Sequence, residues 1–159
     1  MYYFSYFPYS SSQVMPVYTT MYRSNGEFEK ITGMILNGIK GEATAINFYE
    51  RLAKIAPSEQ ARDEVRHALE DEKNHLKHFT ELYVTLTGKK PVYKTEARTF
   101  HSFKEGLALA RKDELEAYED YRNAYLFTQN QFIRDVFFLA LSDEIEHALR
   151  FSFLLNELK

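Results

Sequence analysis

The sequence repeats itself at a spacing of 72 residues, and the residues that recur are ones that bind metals. Glu72-x-x-His75 recurs as Glu144-x-x-His147, and Glu42 recurs as Glu114. On a helix, positions i and i+3 share a face, so each Glu/His pair presents a carboxylate and an imidazole toward one point. The same ungapped shift aligns Lys40 with Lys112, Ala45 with Ala117, Tyr49 with Tyr121, Asp71 with Asp143 and Phe79 with Phe151. In all, 14 of 47 compared positions are identical, where a chance rate of about 6% would give about three. A chain built this way is expected to fold as a duplicated helical hairpin that converges on a two-metal site.

At 159 residues the chain has the length of one domain with a real core. A net charge of −3 and a pI near 6.0 supply no basic footprint for nucleic acid. The absence of cysteine excludes disulfides, Cys-ligated zinc and iron–sulfur or rubredoxin-type centres, so any metal must use oxygen and nitrogen ligands. No apolar run approaches the roughly 20 residues that span a bilayer, and the amino terminus lacks the pattern of a signal peptide. A cytoplasmic location without membrane contact is the default expectation.

Two segments are expected. Residues 1–25 form a disordered aromatic, Ser- and Pro-rich tail: residues 1–22 carry no charge but six of the twelve tyrosines. Such a segment could be a leader, or an adhesive piece that docks on another protein or packs into a coat or shell. Residues 26–159 form a four-helix bundle. Apolar residues from Ile31 to Ala53 recur at three- and four-residue steps, predicting a helix from about Glu27 to near Ala56. Ser58 is a candidate N-cap for a second helix ending at Thr87 before Gly88. A third helix is expected from about Ser102 to Phe127 and a fourth from about Asn130 to Leu158.

The stretch from Gly88 to His101 has a proline and little periodicity, and is too long for a tight hairpin. Extended at roughly 3.3 Å per residue, it covers about 45 Å, the length of a 28-residue helix. Two tight hairpins and one long crossover give an all-α, ferritin-like, up-down-down-up bundle with an internal two-fold hairpin repeat. The four glutamates then sit at similar depth along their helices and meet at one level near mid-bundle.

Residues 27–159 resemble the ferritin-like di-iron superfamily, and are most similar to its rubrerythrin branch. The resemblance rests on the Glu and Glu-x-x-His constellation and on the segments Gly-Glu-Ala-Thr-Ala-Ile-Asn-Phe-Tyr and Asp-Glu-Leu-Glu-Ala-Tyr-Glu-Asp-Tyr around Glu42 and Glu114. It implies that Glu42 and Glu114 are terminal carboxylates, Glu72 and Glu144 bridging carboxylates, and His75 and His147 one nitrogen ligand per metal. Two departures matter. Without cysteine no rubredoxin domain is present, so an electron donor must be a separate molecule. The extra carboxylate that rubrerythrins carry three residues after the third-helix ligand is replaced here by Ala117, which leaves a symmetric site and favours ferroxidase, oxidase or general peroxide chemistry.

The implied cofactor is two iron ions per chain, with manganese as the alternative that these ligand types also suit. Four carboxylates balance the charge of two divalent ions, and without metal such burial is very unfavourable. Asp71 and Asp143 are candidates to fix the histidine tautomers; Asp71 could reach His75 along its own helix or His147 across the bundle. Tyr49 and Tyr121, two turns beyond Glu42 and Glu114, could hydrogen-bond carboxylates, carry an electron or simply pack in the core. His67, His78 and His101 do not repeat and are expected at the surface or in the crossover.

The expected function is that of a di-iron carboxylate oxidoreductase using peroxide or dioxygen. The alternative is a metal-binding structural or assembly protein with a redox-inactive site, acting through its Tyr-rich tail. Self-association as a homodimer or a larger assembly is the simplest partnership.

Overall fold

The structure, a computed structural model, describes residues 25–158. The expected tail therefore lies, apart from Asn25, outside the described residues. Four helices account for nearly all the rest: α1 Asn25–Lys54, α2 Glu59–Thr87, α3 Phe103–Phe127 and α4 Gln131–Glu157.

Their ends follow local chemistry. Ser58, Ser102 and Asn130 each cap a helix, their side chains accepting from the backbone N–H of Ala61, Glu105 and Ile133. Gly88 closes α2 in the left-handed conformation, φ 69°, and its N–H bonds back to Val84. The first helix stops at Lys54, two residues short of the expected Ala56. There Ile55 and Ala56 bond to carbonyls only three residues back, and Pro57 disfavours helical geometry in the residue before it.

Neighbours in the bundle are α1 with α2, α3 with α4, α1 with α3 and α2 with α4, while α1/α4 and α2/α3 are the diagonals. The crossover decides the topology. It climbs the outside of α1 in the direction of that helix: Glu96 meets Lys40 at 2.6 Å and Thr44 at 3.1 Å, the Arg98 carbonyl accepts from Arg51, and Phe100 packs edge-on against Phe48. It delivers α3 beside the end of α1, where Gly106 sits so close to Leu52 and Phe100 that an added Cβ would lie 2.6 Å from a Leu52 methyl. The third helix consequently runs antiparallel to α1 and parallel to α2, which gives the up-down-down-up order.

The core divides into two apolar clusters, one at each end of the bundle. Leu52, Val65, Phe103, Leu107 and Phe151 anchor one; Ile31, Ile35, Ile39, Phe79, Leu82, Ile133 and Phe137 anchor the other. Repeat partners Phe79 and Phe151 fall in opposite clusters, as an internal two-fold requires. The glycines that weaken α1 locally have a tertiary reason in one case: the ring of Phe79 packs directly on Gly38, within 3.3 Å of where a Cβ would stand.

Candidate metal centre

Between the two apolar clusters lies a layer of charge. Glu42 on α1, Glu72 and His75 on α2, Glu114 on α3, and Glu144 and His147 on α4 are all buried. They form two overlapping groups, Glu42, Glu72, His75 and Glu144, and Glu72, Glu114, Glu144 and His147, each with its ligand atoms within 4.8 Å of one another. Glu72 and Glu144 belong to both.

The two shared carboxylates divide their oxygens between the halves. Glu72 turns Oε2 to His75 Nδ1 at 3.1 Å and Oε1 to His147 Nδ1 at 3.3 Å. Glu144 turns Oε1 to His75 Nδ1 at 3.4 Å and Oε2 to His147 Nδ1 at 3.6 Å. Glu42 lies 3.9 Å from His75 Nδ1, and Glu114 lies 3.6 Å from His147 Nδ1. The i, i+3 spacing places each histidine beside the glutamate of its own helix, and the bundle brings the other pair across.

Both imidazoles point Nδ1 inward and Nε2 outward. His75 Nε2 meets Asp143 Oδ2 at 3.0 Å, and His147 Nε2 meets Asp71 Oδ2 at 3.1 Å. The alternative left open for Asp71 is thus resolved in favour of the cross-bundle partner. A carboxylate at Nε2 assigns the proton to that nitrogen and leaves Nδ1 to ligate. The tyrosines are exchanged in the same sense: Tyr49 donates its hydroxyl to Glu114, and Tyr121 donates to Glu42.

The protein's own groups hold protons where metal would displace them. Burial, followed by the nearby Glu72 and Glu144 charges, raises Glu42 well above the usual carboxylate range, and burial with Glu144 and Glu72 does the same to Glu114. Glu72 stays ionised: burial opposes its charge, but the imidazoles of His147 and His75 beside it outweigh burial and lower its pKa. Burial likewise opposes the imidazolium of His75, and the carboxylates of Asp143, Glu144 and Glu72 around it more than offset burial. For His147 the carboxylates of Asp71, Glu114 and Glu144 beside the ring outweigh burial in the same way. Burial, then the neighbouring glutamates, pushes both tyrosines up, so they remain donors.

The donor set fits a pair of divalent cations. Glu72 Oε1, Glu144 Oε1 and His147 Nδ1 are buried without a hydrogen-bond partner, although Glu72 Oε1 and His147 Nδ1 approach each other without hydrogen-bond alignment. Orphaned buried polar atoms that converge on one point are costly unless an ion completes them. Oxygen and imidazole ligands suit iron or manganese.

Sequence reasoning missed two features. A cavity of about 580 Å³ between α1 and α3 reaches Glu42, Glu72, Glu114 and Glu144, with Gly41, Ala45 and Ala117 in its wall. Lys40, Glu96, Arg98 and Asp113 line it toward the crossover; the small residues were its only trace in the sequence. His67, expected as an unrelated surface histidine, is exposed but stands 3.3 Å from Asp71 Oδ2, with its ring edge-on to His147. Its repeat counterpart is Leu139, so the repeat could not point to it. His101 is exposed as expected and His78 is half-buried. Glu70, Glu116 and Glu146 pair on outer faces with Lys73, Lys112 and Arg150.

This fold and layer of carboxylates and imidazoles define a ferritin-like di-iron carboxylate protein. The rubrerythrin family model matches residues 33–155, and the chain belongs to that family. It is 37% identical over 119 residues to the uncharacterized protein YhjR of Bacillus subtilis (strain 168), an alignment covering 75% of this chain and 82% of that one. Among solved structures, it resembles a ferritin-like, diiron-carboxylate protein of Bacillus anthracis str. Ames, with a TM-score of 0.72 and 19% identity, covering 83% of this chain and 99% of the other. A conserved hypothetical protein of Mycobacterium tuberculosis gives a TM-score of 0.73 at 16% identity, covering 82% and 93%. At these identities the structures speak for the fold alone. No helix among the described residues is long and apolar enough to cross a membrane.

Proposed function

We propose that the protein is a di-iron carboxylate oxidoreductase that oxidises bound Fe(II) with peroxide or dioxygen. The observation that carries this reading is the division of Glu72 and Glu144 between the two histidines, which builds two adjoining ion positions sharing two carboxylates. Glu42 and His75 would complete one position, and Glu114 and His147 the other. When bound, two Fe(II) ions would supply one electron each, so that one peroxide, taking up two protons, leaves as two waters.

The chain's own residues do the rest. Asp143 and Asp71 hold the proton on the Nε2 of His75 and His147 and so keep each Nδ1 free for an ion. Tyr121 and Tyr49 orient Glu42 and Glu114 through hydroxyl bonds that occupy one carboxylate oxygen each. The two apolar clusters close the layer from either end of the bundle, and the cavity between α1 and α3 offers a small oxidant a path to all four glutamates. A cysteine-free chain has no thiol-ligated electron carrier, so re-reduction requires a separate donor.

The test is anaerobic Fe(II) titration of the purified protein, followed by peroxide and optical detection of Fe(III). Two irons per chain, oxidised on addition and lost in Glu72→Ala, are the expected result. A single ion, or two ions that peroxide leaves as Fe(II), would remove the redox reading and leave a structural metal site.

A further inference from the structure

His67 and Glu146 break the symmetry around the metal centre. Asp71 and Asp143 are repeat partners, and each holds a histidine of the other hairpin in the same way. What stands on their outer side differs. Next to Asp71 is His67, with Nε2 3.3 Å from Asp71 Oδ2, and Glu146 follows with Oε1 3.7 Å from the same nitrogen. Shifted by 72 residues, these two positions are occupied by Leu139 and Asn74. The half that carries Leu139 and Asn74 forms the same helices and holds His75 as closely as the other half holds His147. Folding therefore makes no demand for an imidazole at His67 or a carboxylate at Glu146.

Both are metal-ligating types, and they are spaced as ligands. His67 and Asp71 lie one turn apart on α2, so they share a face of that helix, while Glu146 comes across from α4. A divalent ion held at about 2.1 Å by nitrogen and oxygen keeps its ligand atoms about 3.0–3.4 Å apart, a separation that His67 Nε2 and Asp71 Oδ2 already have. His67 Nε2, Asp71 Oδ2 and His147 Nε2 lie within 4.8 Å of one another. His147 Nε2, however, carries the proton that it donates to Asp71. The third ligand thus falls to Glu146, whose half-exposed side chain is free to close the remaining gap. Arg150 holds Glu146 from its other side at 2.6 Å and Glu64 at 2.7 Å. Glu64 offsets the Arg150 charge, which leaves Asp71 and Glu146 to balance a divalent cation. The place also faces solvent, since the His67 side chain is 44% exposed, whereas the six ligands of the inner layer are buried.

We propose that His67, Asp71 and Glu146 form a third divalent-cation site on the outer side of the His147 half of the centre. One imidazole and two carboxylates, with water completing the shell, suit Zn(II), Co(II), Mn(II) or Fe(II). The same Asp71 oxygen faces His67 and accepts from His147. An ion on Asp71 therefore draws charge from the acceptor that fixes His147 and weakens the inner position beside it. The position beside His75, which Asp143 fixes, is left as it was. An otherwise symmetric centre thereby gains one half that responds to metal in solution. The outer site uses no residue of the inner layer and stands whether or not that layer is redox-active.

The test is Co(II) uptake by the full chain, read by equilibrium dialysis and metal analysis, beside His67→Leu, which copies what the repeat carries at Leu139. Three ions per chain are expected for the parent and two for His67→Leu, with helical circular dichroism unchanged. Adding His67→Leu to Glu72→Gln should again lower the count by one, so the outer ion is read even where the inner layer is disabled. Glu146→Asn, copying Asn74, should weaken the third ion at least about 10-fold, the loss caused by removing even an indirect partner of a metal. Equal counts with and without His67→Leu would overturn the proposal, as would a third ion that Glu146→Asn leaves unchanged. An ion lost with His67→Leu from a chain whose inner layer takes up none would uphold the outer site and remove the two-ion reading instead.

Discussion

His147 is held not by Asp143, four residues back on its own helix, but by Asp71 from the other hairpin, with Nε2 and Oδ2 3.1 Å apart. His75 is held reciprocally by Asp143 at 3.0 Å. Each hairpin therefore fixes the tautomer of the other's histidine, and neither hairpin alone contains a complete half-site. The same exchange governs Tyr49 with Glu114 and Tyr121 with Glu42. The duplication is interlocked: its two copies are equivalent in sequence but depend on one another for geometry.

That interlocking makes the outer carboxylates matter. Asp71→Asn keeps the shape of the side chain and removes the acceptor charge that stabilises Nε2–H. Metal affinity at the His147 position should fall about 10- to 100-fold while the fold is retained. Co(II) or Fe(II) titration against Asp143→Asn, which should weaken the other position by a similar factor, reads this directly. Equal loss at both positions in either variant would contradict the one-to-one pairing.

The sharing of Glu72 and Glu144 predicts an asymmetry among the four glutamates. Glu72→Gln should abolish binding of both ions, because one of its oxygens faces each histidine. Glu42→Gln should cost mainly the ion beside His75, leaving about one per chain. Metal analysis after gel filtration separates the cases; stoichiometries that match in the two variants would remove the shared role.

The proton content of the site sets its pH dependence. Glu42 and Glu114 are raised above the ordinary 4.5, by burial first, and His75 and His147 are raised above the ordinary 6.5 by their carboxylate partners. In each case the metal-free folded chain binds protons that the unfolded chain has released, so its stability should fall as pH rises above about 4.5 and fall further above 6.5. Glu72 acts oppositely but only in acid, since its depressed pKa gives stability that is lost as pH drops below 4.5. Metal binding must expel these protons, so Fe(II) affinity should rise with pH over the same range and the loaded protein should lose the alkaline decline. Melting curves of both forms from pH 5 to 9 check the crossing trends.

The crossover depends on one close approach. Gly106→Ala would set a Cβ 2.6 Å from the Leu52 methyl and 3.1 Å from the Phe100 ring. The methyl can swing away, but Phe100 is wedged against Phe48. A loss of about 1–3 kcal/mol is expected from this overpacking, measured by urea denaturation. Gly33→Ala, with open space around its Cβ, should instead gain up to about 1 kcal/mol from helix propensity.

Much of this protein is set by local and periodic information, which the sequence carries by itself. The caps at Ser58, Ser102 and Asn130, the left-handed stop at Gly88 and the apolar periodicity from Ile31 to Ala53 bound the helices to within about two residues, because those interactions join near neighbours. The 72-residue repeat brought out Glu42, Glu72, His75, Glu114, Glu144 and His147, and with them the layer in which they meet, because equal spacing on equal helices forces equal depth. Contacts across the bundle were decided only by tertiary structure. Whether Asp71 turned to His75 or His147 depends on how the hairpins are set side by side, as does the partner of each tyrosine. The cavity between α1 and α3 is a space and has no residue of its own. The place of His67 beside Asp71 and His147 lay outside the repeat for the same reason.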